Sequence, residues 1–316
     1  MALMLAVVSG ALPAAEPGFP SRPLRLVVAF AAGNGNDLVA REIAAHMAED
    51  LAQPVVVENR VGAGGIIGTE AVVKAPPDGY TMGFGTSSQL VMNVGFYKRL
   101  PYDPDRDLAS VGLVSRTPLV LAASAKGPAT LADLIERARA NPGEISYGSA
   151  GGGSITHIVA EAFQRRAQVQ LTHVPYKGNG PALSDLMGGH VDLLFGGLIV
   201  LQPLAGQGSV RLLAISGRTR SKRAPDVPTF AEAGLPDYEA STWSSLVVPA
   251  RTPQAIVDRL NVALNKALAH RATLQRLEEG ESESLGPSTP AQAAAFTRNE
   301  RARWVPLIRS FKLNGT

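Results

Sequence analysis

The stretch LRLVVAFAAGNGNDLVAREIAAHMAEDL, residues 24–51, carries the first reading of the fold. Residues 24–30 form an almost unbroken aliphatic run, as a strand covered on both faces requires. A loop rich in glycine and asparagine follows. Val39, Ile43, Met47 and Leu51 then recur every fourth residue, which predicts one apolar helix face, with Asn36 or Asp37 as the N-cap. Strand, glycine loop and helix make one α/β unit, and the unit recurs. Residues 55–57 read as a strand, 62–68 as a loop entering a helix through Val73, and Pro76-Pro77-Asp78-Gly79 as a turn into a strand at 80–84. Short strands alternating with helices predict parallel pairing.

A second series begins further along. Residues 109–124 read as a long extended stretch. Thr130 and Asp133 open a helix that Asn141-Pro142-Gly143 stops. A strand at 145–147 runs into a second glycine-rich loop, 148–153, and Ser154 caps a helix bearing Ile158, Val159 and Phe163. Further strands are expected at 171–174, 191–195, 210–215 and 243–248. C-terminal helices start at Thr252-Pro253 and Thr289-Pro290. The fold class is therefore α/β with two lobes, joined by extended crossings near 109–124 and 241–250. Residues 20–120 plus 248–316 form lobe one and 121–247 form lobe two. A ligand would lie between the lobes, at the carboxyl ends of the strands.

Composition limits the functional classes. With 316 residues the chain exceeds what one core usually supports, in keeping with two lobes. Thirty Lys+Arg against 27 Asp+Glu, scattered along the chain, argue against a nucleic-acid binder. The absence of cysteine excludes disulfides, thiolate metal sites and a cysteine nucleophile. Residues 1–15, MALMLAVVSGALPAA, are apolar, too short to span a bilayer and end in small residues, so they read as an export signal, although no basic residue precedes the apolar run. The protein is expected in the periplasm as a monomer without a cofactor.

A glycine loop feeding a helix start concentrates unpaired N–H groups and the positive end of the helix dipole, which suits an anion. Two such loops occur: Gly33, Asn34, Gly35, Asn36 and Asp37 in lobe one, and Ser149, Ala150, Gly151, Gly152 and Ser154, continuing to Thr156 and His157, in lobe two. Thr86, Ser87 and Ser88 follow a strand ending at Gly85 and are expected to offer hydroxyls to the same cleft. The stretch 62–68 misplaces the third glycine of a dinucleotide fingerprint and is read as close packing of helix on sheet. No phosphate-binding P-loop, no Gly-x-Ser-x-Gly elbow and no paired histidines occur. His157 is the one histidine near a candidate site, and Trp243 and Lys177 are read as core and solvated surface.

Several strings together resemble the Bug/TctC family of periplasmic solute-binding proteins of tripartite tricarboxylate transporters: residues 24–41, QPVVVENRVGAGG (53–65), PPDGYTM (76–82), LPYDPDRDLASV (100–111), NPGEISYGSAGGGS (141–154), HVPYKGNGPALSDLMGGHVDLLF (173–195) and DVPTFAEAGLPDYE (226–239). The resemblance implies a type II-like periplasmic-binding fold that closes on a small mono- or dicarboxylate held by backbone amides, hydroxyls and water from the two glycine loops. It also implies a two-subunit membrane transporter or a sensor receptor as partner. Asn34, Asn36 and Val61 depart from the commoner glycine, threonine and proline. Gly196 and Gly197 stand where many members carry Asp-Asn, so a carboxylate able to hold a ligand amine is missing and a plain carboxylate is favoured. The rival class is a hydrolase on the same fold using Ser149 or Ser154 with His157; a binding protein instead returns its ligand unchanged.

Overall fold

The computed structural model describes residues 18–311 and 313; the expected export signal lies outside them. The chain runs β1 (Leu24–Val28), α1 (Gly35–Leu51), β2 (Val55–Asn59), α2 (Ile66–Val73), β3 (Thr81–Thr86), α3 (Asn93–Phe96), α4 (Pro104–Asp107) and β4 (Leu108–Pro118). The second series is β5 (Val120–Ser124), α5 (Leu131–Ala140), β6 (Ser146–Ser149), α6 (Ile155–Ala167), β7 (Thr172–Pro175), α7 (Asn179–Gly188), β8 (Leu193–Gly196), α8 (Leu198–Gly206) and β9 (Val210–Ile215). The chain returns through β10 (Ser241–Pro249), α9 (Gln254–Ala269), α10 (Arg271–Glu279), β11 (Glu283–Ser284) and α11 (Pro290–Ser310). Two sheets result, in the orders β11-β4-β10-β3-β1-β2 and β7-β6-β8-β5-β9.

Parallel pairing holds in the two places that carry the glycine loops, β2-β1-β3 and β7-β6-β8. Elsewhere the expectation is corrected: β4, β10 and β11 pair antiparallel, and so does β5 with β8 and β9. β1 is covered on both faces, as its sequence requires. Leu24, Leu26 and Val28 share a core with Val39, Ile43 and Met47 of α1 and with Leu260 and Leu264 of α9, whereas Val27 joins the core that holds Val72 of α2. The spacing of four along α1 thus becomes one buried helix stripe.

The stretch 109–124 is not one strand. β4 ends at Pro118, which has no N–H to continue a ladder, and the chain enters the second sheet at Val120. Between them, Leu119 and Ser216 exchange hydrogen bonds: Leu119 N donates to Ser216 Oγ and Ser216 N to Leu119 O, each at 2.8 Å. Ser216 Oγ donates to Ala240 O at the start of the return crossing. One serine therefore ties both inter-lobe crossings together. The return occurs earlier than the division at 247/248 expects. All of β10 pairs with β3 or β4, which puts residues 241–247 in the first sheet.

Helix starts follow side-chain chemistry. Thr130 accepts from Asp133 N, and Thr289 with Gln292 completes a capping box. Two expected caps are corrected. At α9 the N-cap is Pro253, because Thr252 Oγ1 donates back to Pro249 O. At α1 the cap is Asn34, whose Oδ1 accepts from Asp37 N at 2.9 Å, and Asn36 lies inside the helix.

Candidate functional site

The loop after β1 is held open by one buried acid. Asp37 is 1% exposed; its Oδ2 accepts from Gly33 N at 2.8 Å and Arg41 Nε at 2.9 Å, and its Oδ1 from Asn59 Nδ2 at 2.8 Å. Burial opposes ionisation of this carboxyl. The hydrogen bonds from Arg41, Gly33 and Asn59 outweigh it and hold the group below the usual aspartate value. Gly33 has φ +81, a conformation costly for a side chain, and a Cβ there would meet nothing within 4 Å, so backbone shape and not crowding calls for glycine. The N–H groups of Gly35 and Asn36 begin α1 and have no partner among the described residues, as at any helix start. Gly33 is exposed and residues 34–36 are partly exposed. The sequence expectation therefore divides. Asn34 through Asn36 form an open amide face, whereas the Gly33 amide is bonded to Asp37 and Asp37 is fully engaged in building the loop.

The loop after β6 is built differently, because its own side chains occupy most of its amides. Ala150 N donates to Thr156 Oγ1 (2.9 Å), Gly151 N to Ser149 Oγ (3.1 Å), Gly153 N to His157 Nδ1 (3.1 Å) and His157 N to Ser154 Oγ (3.3 Å). Ser154 Oγ donates to Gly151 O at 2.7 Å. Gly152 N and Thr156 N are left without a partner among the described residues.

Two histidines lie behind this loop. His157 and His173 stack with ring centroids 3.9 Å apart and 5° between planes, with Tyr147 on one side and Phe96 on the other. His173 on β7 reaches Ser149 Oγ with Nε2 at 2.6 Å. Burial lowers both pKa values, His157 to about 3, with the neighbouring His173 adding to the effect, and His173 to about 4. Both rings are neutral near neutral pH. Because His157 Nδ1 accepts from Gly153, its proton sits on Nε2, facing Glu161 at 3.8 Å. The expectation that only His157 stands near the site is corrected: β6 and β7 pair Tyr147 with His173, which puts a second histidine beside the loop.

The hydroxyls after β3 are also corrected. Thr86 N and Oγ1 both donate to Gln89 Oε1, at 2.9 and 2.6 Å, and Ser87 bonds Thr242 at 3.3 Å. Ser88 Oγ accepts from Ile155 N, the first N–H of α6, at 3.0 Å. All three are at most 1% exposed, so they are spent inside the protein, Ser88 as a lobe-to-lobe bond. Residues missed in the sequence strengthen that seam. Tyr97 OH donates to Gly152 O at 3.0 Å and Phe96 packs edge-on against His157, while within lobe one Asn93 Nδ2 donates to Gly64 O at 3.2 Å. Gly68 packs against Ala29, as the close-packing reading of 62–68 expects, but Gly64 lies against Gly152 across the seam. Gly196 is buried at the end of β8, beside β6, and Gly197 caps α8. Trp243 is 1% exposed with Nε1 donating to Glu300 at 3.0 Å, and Lys177 is exposed. Among the described residues no group of acids or histidines could hold a metal ion, and no helix is long and apolar enough to cross a membrane.

Two α/β lobes, paired crossings bonded through one serine and a glycine loop at the carboxyl end of a parallel strand in each lobe define a solute-binding protein of the periplasmic type. Residues 39–313 match the tripartite tricarboxylate transporter family receptor, TctC, and the chain belongs to that family. It is 36% identical over 310 residues to protein BugT of Bordetella pertussis, covering 97% of this chain and 94% of that one. Its structure is similar to MatC of Rhodopseudomonas palustris with bound malate (TM-score 0.86, 33% identity, 92% of this chain and 100% of that chain). It is equally similar to R. palustris Rpa4515 with adipate (TM-score 0.86, 36% identity, 92% and 98%).

Proposed function

We propose that the protein captures a small mono- or dicarboxylate between its lobes, outside the cytoplasm, and returns it unchanged to a membrane partner. The observation that carries this reading is the start of α1. Gly35 and Asn36 present unpaired amides at the positive end of a 17-residue helix, while the one acid nearby, Asp37, is locked by three donors. One carboxylate group of the ligand is assigned to the free amides of residues 34–36. Gly152, whose amide is free, and Gly197 at the next strand end, both partly exposed, receive the ligand from lobe two, whereas Thr156 and Gly196 are buried. Malate in MatC and adipate in Rpa4515 support the carboxylate class. With glycine at 196 and 197, nothing there pairs with a ligand ammonium, which favours plain acids over amino acids.

The hydrolase alternative has one favourable observation, the 2.6 Å bond between Ser149 and His173. Two others weigh against it. Ser149 is 0% exposed, so its Oγ meets no substrate, and neither Ser149 nor Ser154 is hydrogen-bonded to a His157 side-chain nitrogen. A two-subunit tripartite tricarboxylate-type transporter is the proposed recipient, and a sensor receptor reading the liganded form is the alternative partner. Residues 1–15 are the proposed export signal to the periplasm.

A thermal-shift screen against mono-, di- and tricarboxylates and amino acids, with mass spectrometry of the recovered ligand, tests the proposal. Stabilisation by carboxylates alone, recovered intact, is expected. Stabilisation by amino acids, or a chemically altered ligand, would refute it.

A further inference from the structure

Away from the cleft, three arginines gather where α5, α6 and α11 end. Arg139 Nη2 donates to Ala167 O at 2.8 Å, Arg165 Nη2 to Ser310 O at 2.7 Å, and Arg166 Nε and Nη2 to Pro236 O at 3.1 and 2.8 Å. Backbone carbonyls orient a guanidinium without cancelling its charge. Arg166 has Asp237 at 3.7 Å, but none of Arg139, Arg165 and Arg303 has a carboxylate within 4.0 Å among the described residues, and nearby Glu239 is taken by Arg218 at 2.9 Å. Arg165 lies over the Phe311 ring at 4.7 Å and Arg303 over Trp304 at 5.3 Å.

These side chains line a groove. Two open cavities of ≈ 400 and ≈ 340 Å³ share Arg165 and Arg166; the first ends at Ile135 and Leu235, and the second at Trp304 and Leu307. Leu307 is 39% exposed. We propose that this groove docks an acidic peptide segment of a partner protein, with carboxylates on the arginine row and apolar side chains at its two ends. Planar forks with unused donors match carboxylates in pairs, and apolar ends on either side of a charged row match a chain carrying both kinds of side chain. A single small anion would leave most of the two joined cavities empty. The groove also crosses the lobes, since α6 belongs to the second and α11 packs on β4 of the first. The proposal does not depend on which solute fills the cleft.

The test is fluorescence anisotropy of a labelled peptide of alternating glutamate and leucine, with a lysine-for-glutamate peptide as control, on the full mature chain. Saturable binding of the acidic peptide is expected, weakened roughly tenfold in Arg139→Glu/Arg303→Glu and by less in Arg139→Lys/Arg303→Lys, which keeps the charge but loses the planar fork. Circular dichroism checks folding; if the double glutamate variant does not fold, Arg303→Glu alone is read and should still weaken binding. The proposal is overturned if the wild type does not bind the acidic peptide, binds both peptides equally, or binds no better than the folded glutamate variant. It is also overturned if the arginines instead govern co-sedimentation with phosphatidylglycerol vesicles while the peptide goes unbound.

Discussion

The two glycine loops look alike in sequence and are wired in opposite ways. After β1, one carboxylate collects three donors, and the helix start is left with free amides facing outward. After β6, a hydroxyl or an imidazole takes most amides, and a helix start is spent on Ser88 of the other lobe. On the function proposed above, the first loop is the one that receives the anion. The second is built to hold its own shape and to meet the first lobe. Glycine content alone does not make an anion site; what matters is which donors remain after the loop has satisfied itself.

Acid should separate the two loops, and this is the largest expected effect. His157 and His173 have folded pKa values of about 3 and about 4, below the ordinary histidine value of about 6.5. The unfolded chain then takes up protons that the folded chain refuses, so stability is full above pH ~6.5 and falls as pH drops toward the folded values, on the order of 1 kcal/mol per pH unit for each histidine. Urea unfolding across this window should show that slope in the wild type and about half of it in His173→Gln. The first loop should not contribute there. Asp37 is depressed, so its stabilisation persists down to the ordinary aspartate range near pH ~3.9 and is lost as pH falls through its lower folded value.

Next in size is Asp37→Ala, which strands Gly33 N, Asn59 Nδ2 and Arg41. A loss of about 3 kcal/mol by urea unfolding is expected, together with loss of carboxylate binding by calorimetry. Normal binding by a folded Asp37→Ala protein would show that the loop does not need its buried acid. Ser88→Ala removes a bond present only where the lobes meet. Affinity should fall about fivefold, near 1 kcal/mol, with the closed form disfavoured in small-angle scattering. Smallest is Ser149→Ala, which loses the bonds to His173 and from Gly151 N at about 1 kcal/mol of stability and changes carboxylate affinity by less than Ser88→Ala does. A large binding defect there would restore Ser149 to the ligand site.

Much of this was legible in the sequence because periodicity reports burial directly. The run at 24–30, the spacing of four along α1 and the repeat of the unit near 145–163 each became the expected element. Hydrogen-bond partners were not legible. Nothing in Thr86-Ser87-Ser88 says that Gln89 and Thr242 consume two of the hydroxyls, because those partners lie on the next turn and on a strand 155 residues away from Ser87. His173 was invisible for a similar reason, since its place beside Ser149 depends on the β6-β7 register, which no local pattern fixes. The run 109–124 read as one strand because both halves are aliphatic. The break at Pro118 becomes visible only once each half has its own sheet.

The central claim is that the ligand carboxylate is held by free backbone amides at the start of α1, and amide NMR during a titration with malate or adipate tests it most directly. The account predicts the largest amide-proton shifts at Gly35 and Asn36, with Gly151 and Gly153, whose N–H groups are already bonded within the second loop, moving little. Saturable binding that leaves Gly35 and Asn36 unmoved while Gly151 and Gly153 shift would contradict it.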